Sequence, residues 1–258
     1  MADIYIGLMS GTSADLIDCA TLDLSSEEIK VLNCKNFEIP EDLKADIIQS
    51  SQSEKIEQEL IDDLDFRMAE VLVNSVKEII SDSDIETKDI KAIGSHGQTI
   101  KHEPKSKTPY TLQIGDPQKI SNDLNITTVG NFRHDDIGAG GEGAPLTPVF
   151  HNKVFGNDRK RKAIVNIGGI TNITALNYPE LIGFDSGPGN CLMDCWSRIH
   201  NIGNYDDKGS WASSGTINPF LLEAMMGDEY FLRKYPKSTG PDYFNHEWIN
   251  KNLFKLSK

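Results

Sequence analysis

Ile4-Tyr5-Ile6-Gly7-Leu8-Met9-Ser10-Gly11-Thr12-Ser13, continued by an extended run through Ile17, Cys19 and Thr21 to Leu24, reads as a strand, a tight turn of small residues and a returning strand. The same pattern recurs far downstream. Ala163-Ile164-Val165-Asn166-Ile167-Gly168-Gly169 runs into a turn and then Asn172-Ile173-Thr174-Ala175-Leu176. Two such openings predict an α/β chain of two related units, 1–157 and 158–258, with a boundary near Phe155 to Lys162 and a nucleotide cleft between them. Two-strand hairpins are common, so chance recurrence is the competing account.

Outward from the first hairpin, a third extended segment, Ile29 to Ile39, stops at Pro40. Ser53 then stands where it would cap a long helix that places Ile56, Leu60, Leu64, Met68, Val71 and Ile79 on one face. Lys91 to Gly94, Tyr110 to Ile114 and Ile126 to Phe132 read as strands, and Pro117 to Leu124 as a short helix. The Gly-rich stretch from Gly138 to Pro145 reads as a hinge or ligand loop ahead of a helix ending near Phe155. After the second hairpin, Leu181 to Phe184 is a strand, Asp185 to Asn190 a loop, and a helix carries Leu192, Trp196 and Ile199. Phe220 to Met226 and His246 to Leu253 are later helices.

Charge and composition exclude several classes. With 26 basic and 39 acidic residues, the net charge of −13 disfavours nucleic acid as a partner. It leaves room for a nucleotide held by backbone N–H groups and a cation. Apolar runs are of strand length, so no membrane span is expected, and Asp3 stands where a signal peptide would be basic. Four cysteines among 258 residues suggest reduced thiols and a cytoplasmic protein. Cys191 and Cys195 lack a second ligand pair at zinc spacing and read as small apolar side chains. The oligomeric state is left open, a homodimer included.

Four segments and Arg133 carry residues suited to chemistry. The turn Gly11-Thr12-Ser13-Ala14-Asp15 offers backbone N–H groups, hydroxyls and a carboxylate to a phosphate tail, though an ordinary hairpin turn has the same composition. No G-x-x-x-x-G-K-[ST] sequence is present, so a P-loop is excluded. Asp185 precedes Gly187-Pro188-Gly189, which has little side-chain bulk, and a helix starting near Asn190 would favour its ionised form; general base and simple loop cap are both open readings. Ser95-His96-Gly97-Gln98-Thr99, Gln113-Ile114-Gly115-Asp116-Pro117 and Arg133 gather hydrogen-bonding groups fit for a sugar, or for turns and surface ion pairs.

Taken in order, Gly7 to Ser13, Gly94 to Thr99, Leu112 to Pro117, Gly140 to Leu146, Asn166 to Ile173, Gly183 to Asn190 and Pro236-Lys237-Ser238-Thr239-Gly240 resemble the motifs of the anhydro-N-acetylmuramic acid kinases. The resemblance implies a two-domain actin-like (ribonuclease H-like) ATPase fold. It implies a bacterial enzyme of peptidoglycan recycling in which water opens the 1,6-anhydro ring while the 6-oxygen receives the γ-phosphate of ATP. By that resemblance Asp185 activates the water, and Gly11, Thr12, Ser13, Ala14, Asp15, Leu16, Ile17 and Asp18 hold ATP phosphates with Mg2+, whose protein ligands stay unassigned. His96, Gln98, Thr99, Gly115, Asp116 and Arg133 would form the sugar pocket.

Three positions depart from the family pattern. Leu16 replaces a glycine in the phosphate loop, Asn131 replaces an aspartate before Phe132-Arg133, and the chain ends at Lys258 where family members continue through a Gly-rich adenosine segment. The second domain is therefore expected to be incomplete. A truncated remnant that keeps the fold and binds sugar without turnover is the alternative expectation.

Overall fold

A computed structural model describes residues 2–11, 14–156, 158 and 160–256, with the side chain of Leu256 set aside. The chain divides into two compact units, Met1–Gly143 and Ala144–Lys258. The division lies ahead of the 157/158 boundary read from the sequence, and the helix between the two positions packs on the second sheet.

The first unit runs β1 (Ile4–Ser10), β2 (Leu16–Asp23), β3 (Lys30–Glu38), α1 (Glu41–Gln52), α2 (Gln58–Ser81), β4 (Ile90–Ser95), β5 (Gln98–Glu103), β6 (Tyr110–Ile114), α3 (Pro117–Leu124), β7 (Thr128–Val129) and α4 (Phe132–Gly138). Its main sheet has the order β3-β2-β1-β4-β7, antiparallel among the first three strands and parallel from β1 to β7. β5 and β6 pair separately as an antiparallel hairpin. Alternation explains the sheet's inner face: Ile4, Ile6 and Leu8 of β1 and Ile17 and Cys19 of β2 are buried. α2 supplies the opposing stripe, with Leu64, Met68, Leu72, Val76 and Ile79 buried at helical spacing.

The second unit comprises α5 (Pro148–Phe155), β8 (Lys162–Ile167), β9 (Ile170–Leu176), β10 (Ile182–Pro188), α6 (Cys191–Ile199), α7 (Pro219–Met226), α8 (Glu229–Leu232) and α9 (His246–Leu256). β8, β9 and β10 form an antiparallel sheet in the order β10-β9-β8. A second core gathers Tyr230, Phe244, Trp248 and Ile249, with Cys191 and Cys195 packed partly buried against it. Asp228 ties this core together, accepting from Tyr230 N (2.9 Å), Tyr243 Oη (2.8 Å) and Trp248 Nε1 (2.8 Å). The α/β class and the paired strands β1–β2 and β8–β9 agree with the sequence reading.

Several elements differ from it. Ser53 does not start the long helix; it closes α1, its Oγ donating to Gln49 O at 2.9 Å. α2 begins at Gln58, and Leu60 is exposed at its solvent side. The strand expected over Ile126 to Phe132 is only Thr128–Val129, because Asn131 takes a left-handed conformation (φ 62°) and Phe132 starts α4. β10 extends through Pro188, so Asp185 lies inside a strand rather than in a loop.

Candidate functional site

In the first unit the polar residues after β4 are held by one another. His96 N donates to Leu8 O at 3.0 Å, which hangs the residue off the end of β1. Arg133 Nε donates to His96 Nε2 at 2.8 Å, and Arg133 Nη1 to Gly143 O at 2.9 Å. Nε2 must therefore carry a lone pair, which puts the ring proton on Nδ1, 2.9 Å from the carbonyl of Gly97. Burial first, and then the neighbouring Arg133 charge, push the His96 pKa down to about 4. The imidazole is neutral at physiological pH.

Gln98 opens β5 fully buried, its Oε1 accepting from Ser10 Oγ at 2.6 Å and its Nε2 donating to Thr99 O at 3.1 Å. Thr99 Oγ1 accepts a long bond of 3.4 Å from Gln113 Nε2. Gly115 needs its missing side chain twice over: φ is +104°, and a Cβ would stand 2.6 Å from Leu72 Cδ1. Its N–H donates to Asp65 Oδ1 at 2.7 Å, while Asp116 caps α3 through the N–H groups of Gln118 (2.8 Å) and Lys119 (3.1 Å). Burial, and secondarily the charge of Asp116, raise the pKa of Asp65. These two carboxylates border a groove of about 630 Å3 that also takes in Gln113 and Asn131. His96, Gln98, Thr99 and Arg133 do not line that groove. The predicted sugar residues thus fall into two places, a half-buried cluster around His96 and Arg133 and an open groove at Asp116.

Of the stretch Gly11 to Asp18, Thr12 and Ser13 lie outside the described residues. Ala14 adopts φ 51° and its N–H donates to Gly11 O at 3.0 Å. Asp15 is exposed and 2.6 Å from Lys44 Nζ. Leu16, Ile17 and Asp18 belong to β2: Leu16 is exposed, Ile17 is in the core, and Asp18 faces solvent bonded to Asn36. Among the described residues of the stretch, Asp15 presents an exposed carboxylate just ahead of β2.

In the second unit Asp185 is 7% exposed. Its amide donates to Lys237 O (3.0 Å), its carbonyl accepts from Tyr230 Oη (2.8 Å), and its Oδ2 accepts from Thr239 N (3.0 Å). Pairing with β9 slips just after it, between Asp185 and Gly187. Gly187 sits at φ +153° with a virtual Cβ 2.7 Å from Phe231, and Gly189 would bring a Cβ within 2.1 Å of Gly168 O. The N–H groups of Gly189, Asn190 and Cys191 donate to the carbonyls of Gly168 and Gly169 at 2.8 to 3.1 Å, so the α6 entrance closes on the β8–β9 turn. Sequence reasoning picked out Asp185 but not Asp65, Ser10, Tyr230 or Lys237; only the Pro236 to Gly240 motif signalled the last, without a role.

The family model for anhydro-N-acetylmuramic acid kinase matches residues 3–258. The kinase of that name from Aliivibrio fischeri is 41% identical over 246 residues, covering 95% of this chain and 67% of its own. The Sulfurimonas denitrificans kinase is 38% identical over 258 residues, covering 100% of this chain and 70% of its own. The chain belongs to the anhydro-N-acetylmuramic acid kinase family. As in the Vibrio vulnificus kinase, 38% identical over 97% of this chain and 68% of its own, the match takes in about two thirds of the relative. The anhydro-N-acetylmuramic acid kinase family is one of sugar phosphotransferases, so the polar clusters above belong to an enzyme. Among the described residues no helix is long and apolar enough to cross a membrane.

Proposed function

We propose that the chain phosphorylates 1,6-anhydro-N-acetylmuramic acid at its 6-oxygen from ATP while water opens the anhydro ring, a cytoplasmic step of bacterial peptidoglycan recycling. Asp185 takes the proton of the water that attacks the anomeric carbon. The C1–O6 bond breaks, and O6 accepts the γ-phosphoryl group as ADP leaves. The observation that supports this most is Asp185 itself: a buried carboxylate, held at one oxygen by the Thr239 amide, beside a bulge lined with glycines. A base held in one orientation meets its proton without first losing side-chain freedom.

Gly11 to Asp18 suit the phosphate tail of ATP, since Ala14 takes a left-handed conformation after β1 and the Asp15 carboxylate beside it is exposed. Magnesium would neutralise phosphate charge, and Asp15 and Asp18 would hold it through water. His96, held neutral, and Arg133 would offer a hydrogen-bonding wall to the sugar, with Gln98 and Thr99 bracing it from behind and Gly115 and Asp116 on the groove side.

The test is direct. Purified chain with the anhydrosugar, ATP and magnesium should yield the 6-phosphate sugar by mass spectrometry, and Asp185→Asn should lower the rate by about 100-fold or more with unfolding unchanged. An unaltered rate in that variant removes Asp185 as the base. Leu16, exposed at the end of the phosphate turn, favours a second reading in which sugar binds and nucleotide does not. Calorimetric titration with ATP and magnesium separates the two, since tight nucleotide binding eliminates the second.

A further inference from the structure

A general base on an edge strand has a mechanical problem, because a residue whose N–H and C=O point to the outer rim gets no ladder bonds there; Asp185 keeps Asn172 as its register partner, and the slip falls after it at Ser186. Tyr230 and Lys237, 45 or more positions away in sequence, supply the bonds here. Asp185 N donates to Lys237 O at 3.0 Å, Lys237 Nζ donates to Tyr230 O at 3.1 Å, and Tyr230 Oη donates to Asp185 O at 2.8 Å. The bonds form a closed ring. Two residues after Lys237, the Thr239 amide reaches Asp185 Oδ2 at 3.0 Å, so the segment that grips the backbone also orients the carboxylate.

Both supporting side chains are deeply buried, Tyr230 2% and Lys237 6% exposed. The ammonium lies 4.6 Å from the centre of the Tyr230 ring and 6.0 Å from that of Phe184. Desolvation, and then the charge of Arg233, lower the pKa of Lys237. A methionine of similar length would fill this space without an ionic desolvation penalty. What the ammonium gains is the Tyr230 carbonyl, the third bond of the ring.

We infer that Tyr230 and Lys237 are positioning residues for Asp185, holding the bulged strand so that its carboxylate meets the Thr239 amide in one orientation. The inference rests on the reading of Asp185 as the base. Tyr230 Oη bonds the backbone carbonyl of Asp185 and Lys237 Nζ that of Tyr230, so their loss should lower turnover rather than weaken substrate binding.

The experiment compares the full chain with Tyr230→Phe, Lys237→Met and Asp185→Asn. Tyr230→Phe and Lys237→Met should each lower kcat about tenfold or more while KM for sugar and for ATP stays within about twofold. The double variant should lose little beyond either single one, because one ring is broken once. In 15N-labelled protein the Thr239 amide proton should move upfield in both single variants, a readout that does not depend on turnover. Wild-type kcat in both folded variants, or an unmoved Thr239 resonance, overturns the inference. If Asp185→Asn keeps its rate, the base assignment falls, and the Thr239 shift still decides the positioning. If Asp185→Asn is inactive and Tyr230→Phe is not, only the positioning falls. Should Tyr230→Phe fail to unfold cooperatively, Lys237→Met carries the same comparison.

Discussion

With Arg133 Nε donating to its Nε2, His96 can take up a proton only by giving up that bond and bringing a second cation beside the guanidinium. Its folded pKa of about 4 lies below the ordinary value of 6.5. Between those values the unfolded chain binds a proton that the folded chain refuses, so stability is fully present above about pH 6.5 and is lost as pH falls toward 4. The loss attributable to this ring is on the order of 3 kcal/mol. His96→Gln, which keeps an acceptor but cannot titrate, should show a shallower fall between pH 7 and pH 4.5 in urea unfolding. Parallel pH profiles for the two proteins would refute the assignment. Asp65 works in the opposite sense: its raised pKa favours the fold as pH drops, which is why the variant comparison, and not the raw profile, isolates His96.

Among the elements, the entry to α6 is the most sensitive to a single methyl group. A Cβ at Gly189 would meet a backbone oxygen at 2.1 Å, and the N–H groups of residues 189–191 already bond that same turn. Gly189→Ala should therefore destabilise the second unit by about 2 kcal/mol or more, read from its denaturant midpoint; a cost under about 0.5 kcal/mol would mean that the turn yields. β1 to β3, α3, β9 and α7 were legible because apolar alternation, Pro at the first helical turn and Asn or Asp caps are local signals. β5 was not, since Gln98 and Thr99 are polar residues buried by distant partners, and no alternation announces them. Nor was the end of β10, where Asp-Ser-Gly-Pro has the composition of a turn and is drawn into the sheet by β9. α1 carried its own signals, with Pro40 ahead of Glu41 and Asp42 and with Leu43 and Ile47 four apart, but Ser53 competes with them as a start. The carboxylate of the candidate site could be named from its motif. Its supports, 45 to 54 positions away, could not, because no sequence period links them.

At the scale of the whole molecule, each core draws its buried residues from one unit, and Trp196, Trp211 and Trp248 all belong to the second. Tryptophan fluorescence should therefore report the second unit, while far-UV circular dichroism is weighted by the 24-residue α2 of the first. Met68→Ala, at a fully buried position, should cost about 2 to 5 kcal/mol and shift the dichroism midpoint more than the fluorescence midpoint. Equal shifts would show that the units unfold as one. The bond from Asp185 N to Lys237 O has one more effect at this scale. β10 borders its sheet, yet that bond occupies the outer rim that a foreign strand would need. Among the described residues no strand pairs with the opposite rim, β8, which exposes Val165 and Ile167, with Lys160, Arg161 and Lys162 as its charged guards. Fibre growth from a concentrated stock should start there, and Val165→Lys should slow thioflavin-monitored assembly where a lysine on β10 would not.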